Sequence, residues 1–234
     1  MKPNASKIDT IIVARSRTLL PRHPALSIGG VVLEESSSLQ VLGVTLDSKL
    51  TFETHVRNIV SVASQKLGIV RKAFKIFGDV VVTSRCFKSF VLPLLEYCSP
   101  VWGSAAESHL KLLDRVVTGA QFVCGDCGLG HLAHRRAVGS LCMLYKIVHN
   151  LKHPLHDYLP EPHIPVRVTR RTAAMHNYTF SVVRHRTVQF SRCFLQAAVV
   201  SWNSLSPVVF VDGTSQGFKS RANQFLRGVF LVGG

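Results

Sequence analysis

The fold is decided by the stretch Leu-Gly-Val-Thr-Leu-Asp-Ser-Lys-Leu-Thr-Phe at residues 42–52 and by the amphipathic segment that follows it. The apolar run Leu39–Leu46 predicts a strand. Thr51 is a suitable N-cap residue, and Glu53 suits the positive end of a helix dipole. Gly78 can end a helix because it adopts a left-handed conformation without strain. We therefore predict a helix of about 26 residues between Thr51 and Gly78.

The predicted helix has an apolar side and a basic side. One broad sector of its helical wheel collects apolar side chains, at Val56, Ile59, Val60, Ala63, Leu67, Val70, Phe74 and Phe77. The opposite sector mixes small residues with cations, at Arg57, Ser61, Ser64, Gly68, Arg71, Lys72 and Lys75. Small residues let a ligand approach closely, and cations can bind phosphates. Most charged helix faces are simply solvated, so nucleic-acid contact and ordinary solvation both remain open.

The composition indicates an anionic partner. The chain has 234 residues, 47% of them hydrophobic, and a formal net charge of +15. Such a basic excess is typical of proteins that bind nucleic acid, and less often an anionic membrane, although a merely basic globular protein is the alternative. No apolar run is long enough to span a membrane, and no signal peptide opens the chain. We expect an intracellular protein of the nucleus or cytoplasm, not secreted, with six reduced cysteines.

The remaining pattern predicts an α+β fold that is mostly α. Ile8–Val13 resembles a strand, and Gly29-Gly30 between two short apolar runs predicts a hairpin. Further helices are expected over Thr83–Tyr97 (interrupted at Pro93 and buried), from Ser104, over Leu132–Asn150, and over Phe190–Leu205 and Ser215–Arg227. The predicted domains are a small antiparallel β element at 1–50, a helical bundle at 51–150, a Pro-rich linker at 151–166 and an extended Arg-rich C-terminal module at 167–234.

The C-terminal module carries a second basic region. Its cations are interleaved with Tyr178, Phe180 and Phe190. They are Arg167, Arg170, Arg171, Arg184, Arg186 and Arg192. Arginine with aromatic residues is a composition found in proteins that bind single-stranded nucleic acid. An extended arm that wraps over a neighbouring domain has the same composition, and the sequence does not separate the two.

One possible metal site and no catalytic centre can be named from the motifs. Cys124 and Cys127, followed by His131 and His134, have the ligand types of a zinc site, but the spacing is shorter than in the usual finger. A helix–loop–helix junction with glycine turns is the alternative, and we expect no metal and no cofactor. The chain has no Walker-type phosphate loop, no Gly-x-Ser-x-Gly and no pair of adjacent aspartates.

The motif at 42–52, with His55, resembles the segment just after the palm in reverse transcriptases of jockey-like non-LTR retrotransposons. The resemblance continues through Phe-Val-Leu-Pro-Leu-Leu-Glu-Tyr-Cys-Ser-Pro-Val-Trp (90–102), Ala-His-Arg-Arg (133–136), Arg-Thr-Val-Gln-Phe-Ser-Arg (186–192), Trp-Asn-Ser-Leu (202–205) and Phe-Lys-Ser-Arg-Ala-Asn (218–223). It implies that the β element is a palm remnant, that Leu42-Gly43 is a primer-grip turn, and that the long helix belongs to a thumb lying along the template–primer duplex. By the same resemblance, Lys7 would lie near the incoming nucleotide.

The resemblance also implies that the catalytic centre is missing from this chain. In this family a Tyr-Ala-Asp-Asp motif holds the Mg²⁺ ions, and it would lie upstream of Met1. We therefore expect a fragment that binds nucleic acid but is not an enzyme by itself, with no small-molecule substrate and no membrane partner. The alternative is a non-enzymatic nucleic-acid- or protein-binding relic without a polymerase role.

Overall fold

The computed structural model describes residues 8–14, 26–124, 130–164, 176–211 and 213–232. In these ranges the protein is mostly helical with two small antiparallel sheets, which confirms the predicted α+β, mostly α class. The strands are β1 Ser27–Ile28, β2 Val31–Val32, β3 Ser38–Val41 and β4 Val44–Asp47. The α-helices are α1 Glu53–Phe77, α2 Val80–Phe90, α3 Leu92–Glu96, α4 Ser99–Trp102, α5 Glu107–Cys124, α6 Leu132–His149, α7 Val188–Arg192, α8 Phe194–Asn203 and α9 Ser215–Val232.

The two sheets are both hairpins. β1 pairs with β2 around Gly29-Gly30, as predicted, and both glycines have positive φ. The single strand predicted over Leu39–Leu46 is wrong, because the chain reverses within it and β3 pairs with β4. The strand predicted over Ile8–Val13 is also wrong, since this segment makes only an isolated bridge.

Helix α1 begins six residues after Asp47, whose side chain organises the start of the helix. The Asp47 carboxylate accepts hydrogen bonds from the backbone N–H of Lys49 and Thr51 at 3.0 Å, from the Thr51 hydroxyl at 3.0 Å, and from the N–H of Phe52 at 2.7 Å. Phe52, in a left-handed conformation, occupies the N-cap position, so the prediction of Thr51 as N-cap is wrong. The predicted end is confirmed, because Gly78 has φ 66° and donates its N–H to the Phe74 carbonyl.

The first core lies where α1 packs against α2, α3 and α5. On α1 the predicted apolar side is buried at Val56, Ala63, Leu67 and Val70. It does not extend to the end of the helix, since Phe77 is 73% exposed. The apolar side therefore ends about two turns before the helix does.

The segment after α1 is broken into three helices. α2 ends at Phe90, and the break before Pro93 agrees with the predicted interruption. The prediction that this segment is buried is wrong in part, because Phe90 and Tyr97 are 60% and 54% exposed. A helix that is apolar all round has only one side turned toward the core here, so its other apolar side chains meet solvent.

A second core lies between α6, α8 and α9. Its largest fully buried side chains are Trp202 and Phe218, and Tyr145 of α6 stacks on Phe218. Helix α6 contributes Leu132 to the first core and most of its other buried side chains to the second. The two cores therefore share this helix. The domain boundaries given above stay a prediction.

Candidate nucleic-acid interface

The β3–β4 turn is the tip of the second hairpin. Leu42 and Gly43 both have positive φ, at 48° and 83°, and the Leu42 side chain is 85% exposed. The Tyr97 hydroxyl donates a hydrogen bond to the Leu42 carbonyl at 3.0 Å. A Cβ at residue 43 would lie 3.6 Å from the Tyr97 ring. The turn is thus held against the chain that follows α3, with one apolar side chain projecting into solvent.

The four predicted cations of α1 are all exposed, but they differ in their partners. Arg57 forms an ion pair with Glu53 at 2.9 Å on the same helix. Arg71 donates from Nη2 to the Gly119 carbonyl of α5 at 2.8 Å. Lys72 and Lys75 have no ion pair or hydrogen bond with any residue that the structure describes. The structure therefore leaves the two lysines most available for a ligand, while Arg71 connects two helices.

The outer side of α1 also carries apolar residues that were not singled out in the sequence. Val62, Ile69 and Ile76 recur every seven residues and are 44%, 67% and 75% exposed. Seven residues are close to two helical turns, so these side chains form one row beside the cations. The exposed side of α1 is thus a basic strip flanked by an apolar strip.

The C-terminal basic region meets the start of α1. The Gln189 side-chain amide donates to the Leu50 carbonyl at 3.1 Å and also to the carbonyl of Lys49. A cleft of about 1070 Å³ lies at this junction, and its lining includes Arg186 and Arg192. The motif at 186–192 and the motif at 42–52 are therefore brought together in space.

The interleaved aromatic residues of the C-terminal region are used unequally. Phe180 is buried beside Trp202, so it cannot stack on a base in this conformation. The Asn203 side chain accepts from the Phe180 N–H at 3.0 Å and donates to the Phe180 carbonyl at 2.8 Å. Tyr178 and Phe190 are 44% and 45% exposed. Of the three aromatics, only these two present part of their rings to solvent.

Two further motifs meet at the side of α6. His134 Nε2 lies 2.9 Å from the Asn223 side-chain oxygen of α9. Burial lowers the pKa of His134, and the nearby charges of Arg227 and Arg135 lower it further. A neutral imidazole that donates to an amide oxygen fits this environment. The histidine thus has a structural role between α6 and α9.

Two curated proteins match parts of this chain. The RNA-directed DNA polymerase from the mobile element jockey of Drosophila melanogaster is 34% identical over 92 residues, which are 38% of this chain and 10% of that polymerase. The probable RNA-directed DNA polymerase from transposon BS of the same organism is 26% identical over 113 residues, 47% of this chain and 12% of the relative. Over these stretches the chain is similar to RNA-directed DNA polymerases of mobile elements. No family model matches it, and no solved structure does.

These matches confirm the resemblance read from the motifs. The matched part of this chain spans about a tenth of the length of the curated polymerases. Within the described ranges, no helix is both long and apolar enough to cross a membrane.

Several predicted site residues of this chain lie outside the described residues. They are Lys7, Arg167, Arg170 and Arg171. Cys127 of the possible zinc motif lies outside as well, and among the described residues no three His, Cys, Asp or Glu side chains are grouped as metal ligands. Leu42, Gly43, Arg57, Arg71, Lys72 and Lys75 are described, and their role in binding stays a prediction.

Sequence reasoning missed the residues that hold the candidate interface in place. Asp47, Tyr97 and Gln189 fix the two ends of the segment that leads into α1. Asp47 had a local signal, because an aspartate often accepts backbone N–H groups from the residues that follow it. Tyr97 and Gln189 had none, because their partners are 55 and 139 residues away.

Proposed function

We propose that this chain binds a nucleic-acid duplex along the basic side of α1, in the manner of the thumb of a reverse transcriptase. The observation that carries the proposal is the charge of the helix. After Glu53, α1 contains five cations and no carboxylate: Arg57, Lys66, Arg71, Lys72 and Lys75. Arg57, Arg71, Lys72 and Lys75 lie on one side of the helix, whereas Lys66 lies on another. The only acidic residue of α1 is Glu53 at its start, so the basic side attracts the phosphates of nucleic acid along most of its length.

The dimensions of the basic strip suit a duplex. From Arg57 to Lys75 the helix axis extends about 27 Å, which equals roughly eight steps at 3.4 Å per phosphate. Ser61, Ser64 and Gly68 lie between the cations and have short side chains. A backbone can therefore approach the helix closely over the whole length between its first and last cation.

The hairpin tip would extend this surface toward the primer end. Its exposed Leu42 side chain offers an apolar contact, and Gly43 permits the turn that presents it. In the proposed arrangement the β3–β4 hairpin takes the place of a primer grip at the end of a palm. The curated relatives are RNA-directed DNA polymerases, which supports a template–primer duplex as the ligand.

Polymerisation itself is not proposed for this chain. Nucleotidyl transfer requires carboxylates that hold two metal ions, and the sequence contains no two adjacent aspartates. The direct test is primer extension with the purified chain, a primed template, deoxynucleotides and Mg²⁺. We expect no incorporation above a no-protein control, and incorporation abolished by a chelator would contradict this part of the proposal.

The binding proposal is tested by titrating a labelled RNA–DNA duplex and following fluorescence anisotropy over a series of salt concentrations. The variant Arg57→Ser, Lys72→Ser, Lys75→Ser removes three cations and leaves the Arg71–Gly119 contact intact. Its slope of log K against log salt should be smaller by about 2–3, because each phosphate contact contributes about 0.9. The control Lys88→Ser, Lys111→Ser, Lys152→Ser removes equal charge from exposed positions elsewhere. Equal losses in both variants, or no binding by the wild type, would overturn the proposal.

A protein-binding role is the second candidate, and one observation favours it. The row Val62, Ile69, Ile76 exposes apolar side chains at the spacing by which helices pair. Under this alternative, duplex binding is absent and the chain self-associates in sedimentation equilibrium. Ile69→Ser with Ile76→Ser would then restore the monomer, whereas it leaves the salt slope unchanged if α1 binds a duplex through its cations.

A further inference from the structure

A groove runs along the line where α6 packs against α9. It has a volume of about 620 Å³ and is separate from the basic side of α1. Its polar lining includes Lys146, Lys219, Arg227, Ser220 and Asn223, and we call it the α6–α9 groove. Lys219, Asn223 and Arg227 recur every four residues along α9. This spacing places them in one row, which follows the groove.

The groove is strongly cationic. Neither α6 nor α9 contains an aspartate or glutamate. The one carboxylate in the lining is Glu96, and it forms an ion pair with Arg135. Lys146, Lys219 and Arg227 have no ion pair or hydrogen bond with any described residue. Three cations thus face one groove without an internal counter-charge.

The charges of these cations shift the pKa values of nearby side chains. Burial raises the pKa of the Cys142 thiol, which lies in the groove lining, while Lys219 and Lys146 act in the opposite direction. Arg227 is among the charges that lower the pKa of His134, after the effect of burial. The positive charge of the groove therefore acts on the Cys142 thiol in its lining.

We propose that the α6–α9 groove binds a backbone phosphate of nucleic acid, as a second contact point away from α1. Ammonium and guanidinium groups neutralise a phosphate, and the Ser220 hydroxyl and the Asn223 amide can donate to its oxygens. The groove is partly open at the surface, so the phosphate of a strand that passes over it can reach the cations of its lining. This inference rests on the proposed function, since it takes nucleic acid as the ligand.

The test uses Cys142 as a reporter inside the groove. The full chain is alkylated with iodoacetamide, with and without a single-stranded RNA oligonucleotide, and the rate at each cysteine is followed by mass spectrometry. Bound RNA should slow alkylation of Cys142 at least about fivefold, because the strand covers the thiol. Cys86, which packs against the first core, serves as the internal reference and should not change.

Two variants give the decisive comparison. Lys146→Ser, Lys219→Ser, Arg227→Ser should lose the protection of Cys142, measured as the ratio of rates with and without RNA, and should lower the salt slope by about 2. The α1 variant Arg57→Ser, Lys72→Ser, Lys75→Ser should keep the protection. All three groove cations are exposed, and near-ultraviolet circular dichroism of the buried tryptophans checks that the variant is folded.

The outcomes separate this inference from the proposed function. If anisotropy shows that RNA binds but Cys142 stays unprotected, the proposal for the groove is overturned and the proposed role of α1 is not affected. A chain that binds neither duplex nor single strand overturns both. Protection by inorganic phosphate but not by RNA overturns the nucleic-acid assignment, because the groove would then be a site for small anions.

Discussion

His134 Nε2 of α6 lies 2.9 Å from the side-chain oxygen of Asn223 in α9, although 89 residues separate them in the chain. The histidine is 6% exposed, so this contact is made almost without water. It joins the motif at 133–136 to the motif at 218–223. His134, one of the possible zinc ligands in the sequence, thus also connects two helices.

The His134–Asn223 hydrogen bond should be measurable as a coupling energy. We expect His134→Ala and Asn223→Ala each to lower the free energy of unfolding by at least about 0.5–1.5 kcal/mol, because each removes this hydrogen bond. The double variant should lose less than the sum, with a coupling of at least about 0.5 kcal/mol. Urea unfolding of the four proteins measures it, and additive losses would contradict a direct contact.

The start of α1 should depend on Asp47. Burial alone would raise the pKa of this carboxyl, but hydrogen bonds from Thr51, Phe52 and Lys49 outweigh it and leave the pKa below its usual value. Asp47→Asn should cost about 1–3 kcal/mol, since hydrogen bonds to a charged acceptor are lost or weakened. Asp157→Asn is the control, because its side chain is 94% exposed. Equal unfolding free energies for the two variants would refute the role of Asp47.

The protein should lose stability in mild acid because of three buried histidines. Burial lowers the pKa of His55, His134 and His176 from 6.5. Above pH 6.5 these groups are neutral in both states and stability is full. As the pH falls below that value, the unfolded chain binds protons first. The free energy of unfolding then decreases by at most about 1.4 kcal/mol per pH unit for each histidine, until the folded pKa is reached.

Urea unfolding across this pH range measures the effect. Replacing a buried histidine, as in His55→Gln, should flatten the dependence on pH, while His163→Gln at an exposed position should not. Asp47 acts in a different window, because its lowered pKa adds stability that is lost only as the pH falls below 3.8. A profile that stays flat down to about pH 5 would contradict the assignment of the histidines.

The contact between Arg71 and α5 can be broken from the glycine side. A Cβ at residue 119 would lie 2.8 Å from Arg71 Nη2, so Gly119→Ala should displace the guanidinium from the Gly119 carbonyl. The lost hydrogen bond and the gain of about 1 kcal/mol in helix propensity should nearly cancel in stability. If α1 binds a duplex, the released Arg71 should increase the salt slope by up to about 0.9.

The control for this substitution is Gly228→Ala in α9, where a Cβ would meet nothing within 4 Å. It should gain stability from helix propensity and leave the salt slope unchanged. A Gly119→Ala variant that is strongly destabilised would indicate that Arg71 cannot move, and would contradict the expected release.

The parts of the fold that were predicted correctly depend on local chemistry. The Gly29-Gly30 hairpin and the end of α1 at Gly78 follow from conformations that glycine adopts easily. The resemblance implied a turn at Leu42-Gly43, but the strand pattern missed the β3–β4 hairpin because Leu42 is a residue type that rarely takes positive φ. The exposure of Phe77 and Phe90 was missed because sequence periodicity gives the side of a helix but not how far a partner covers it.

The same limit applies to the candidate interface. The exposure of Lys72 and Lys75 follows from their position on the wheel of α1. The hydrogen bond of Arg71 does not, because its acceptor is 48 residues away on α5. The α6–α9 groove could not be predicted from the sequence either, because its cations come from two helices that are brought together by the second core.

The position of helix α6 between the two cores determines what a truncation of the chain would do. Helix α6 contributes side chains to both cores. A premature stop codon between His149 and His176 would remove α8 and α9 and leave Leu141, Leu144 and Tyr145 exposed. The truncated product would expose an apolar surface in the cell and be degraded by proteases instead of surviving as a smaller protein. A truncation after α6 therefore removes α8 and α9, which cover the second core, although α6 itself still contacts the first core through Leu132.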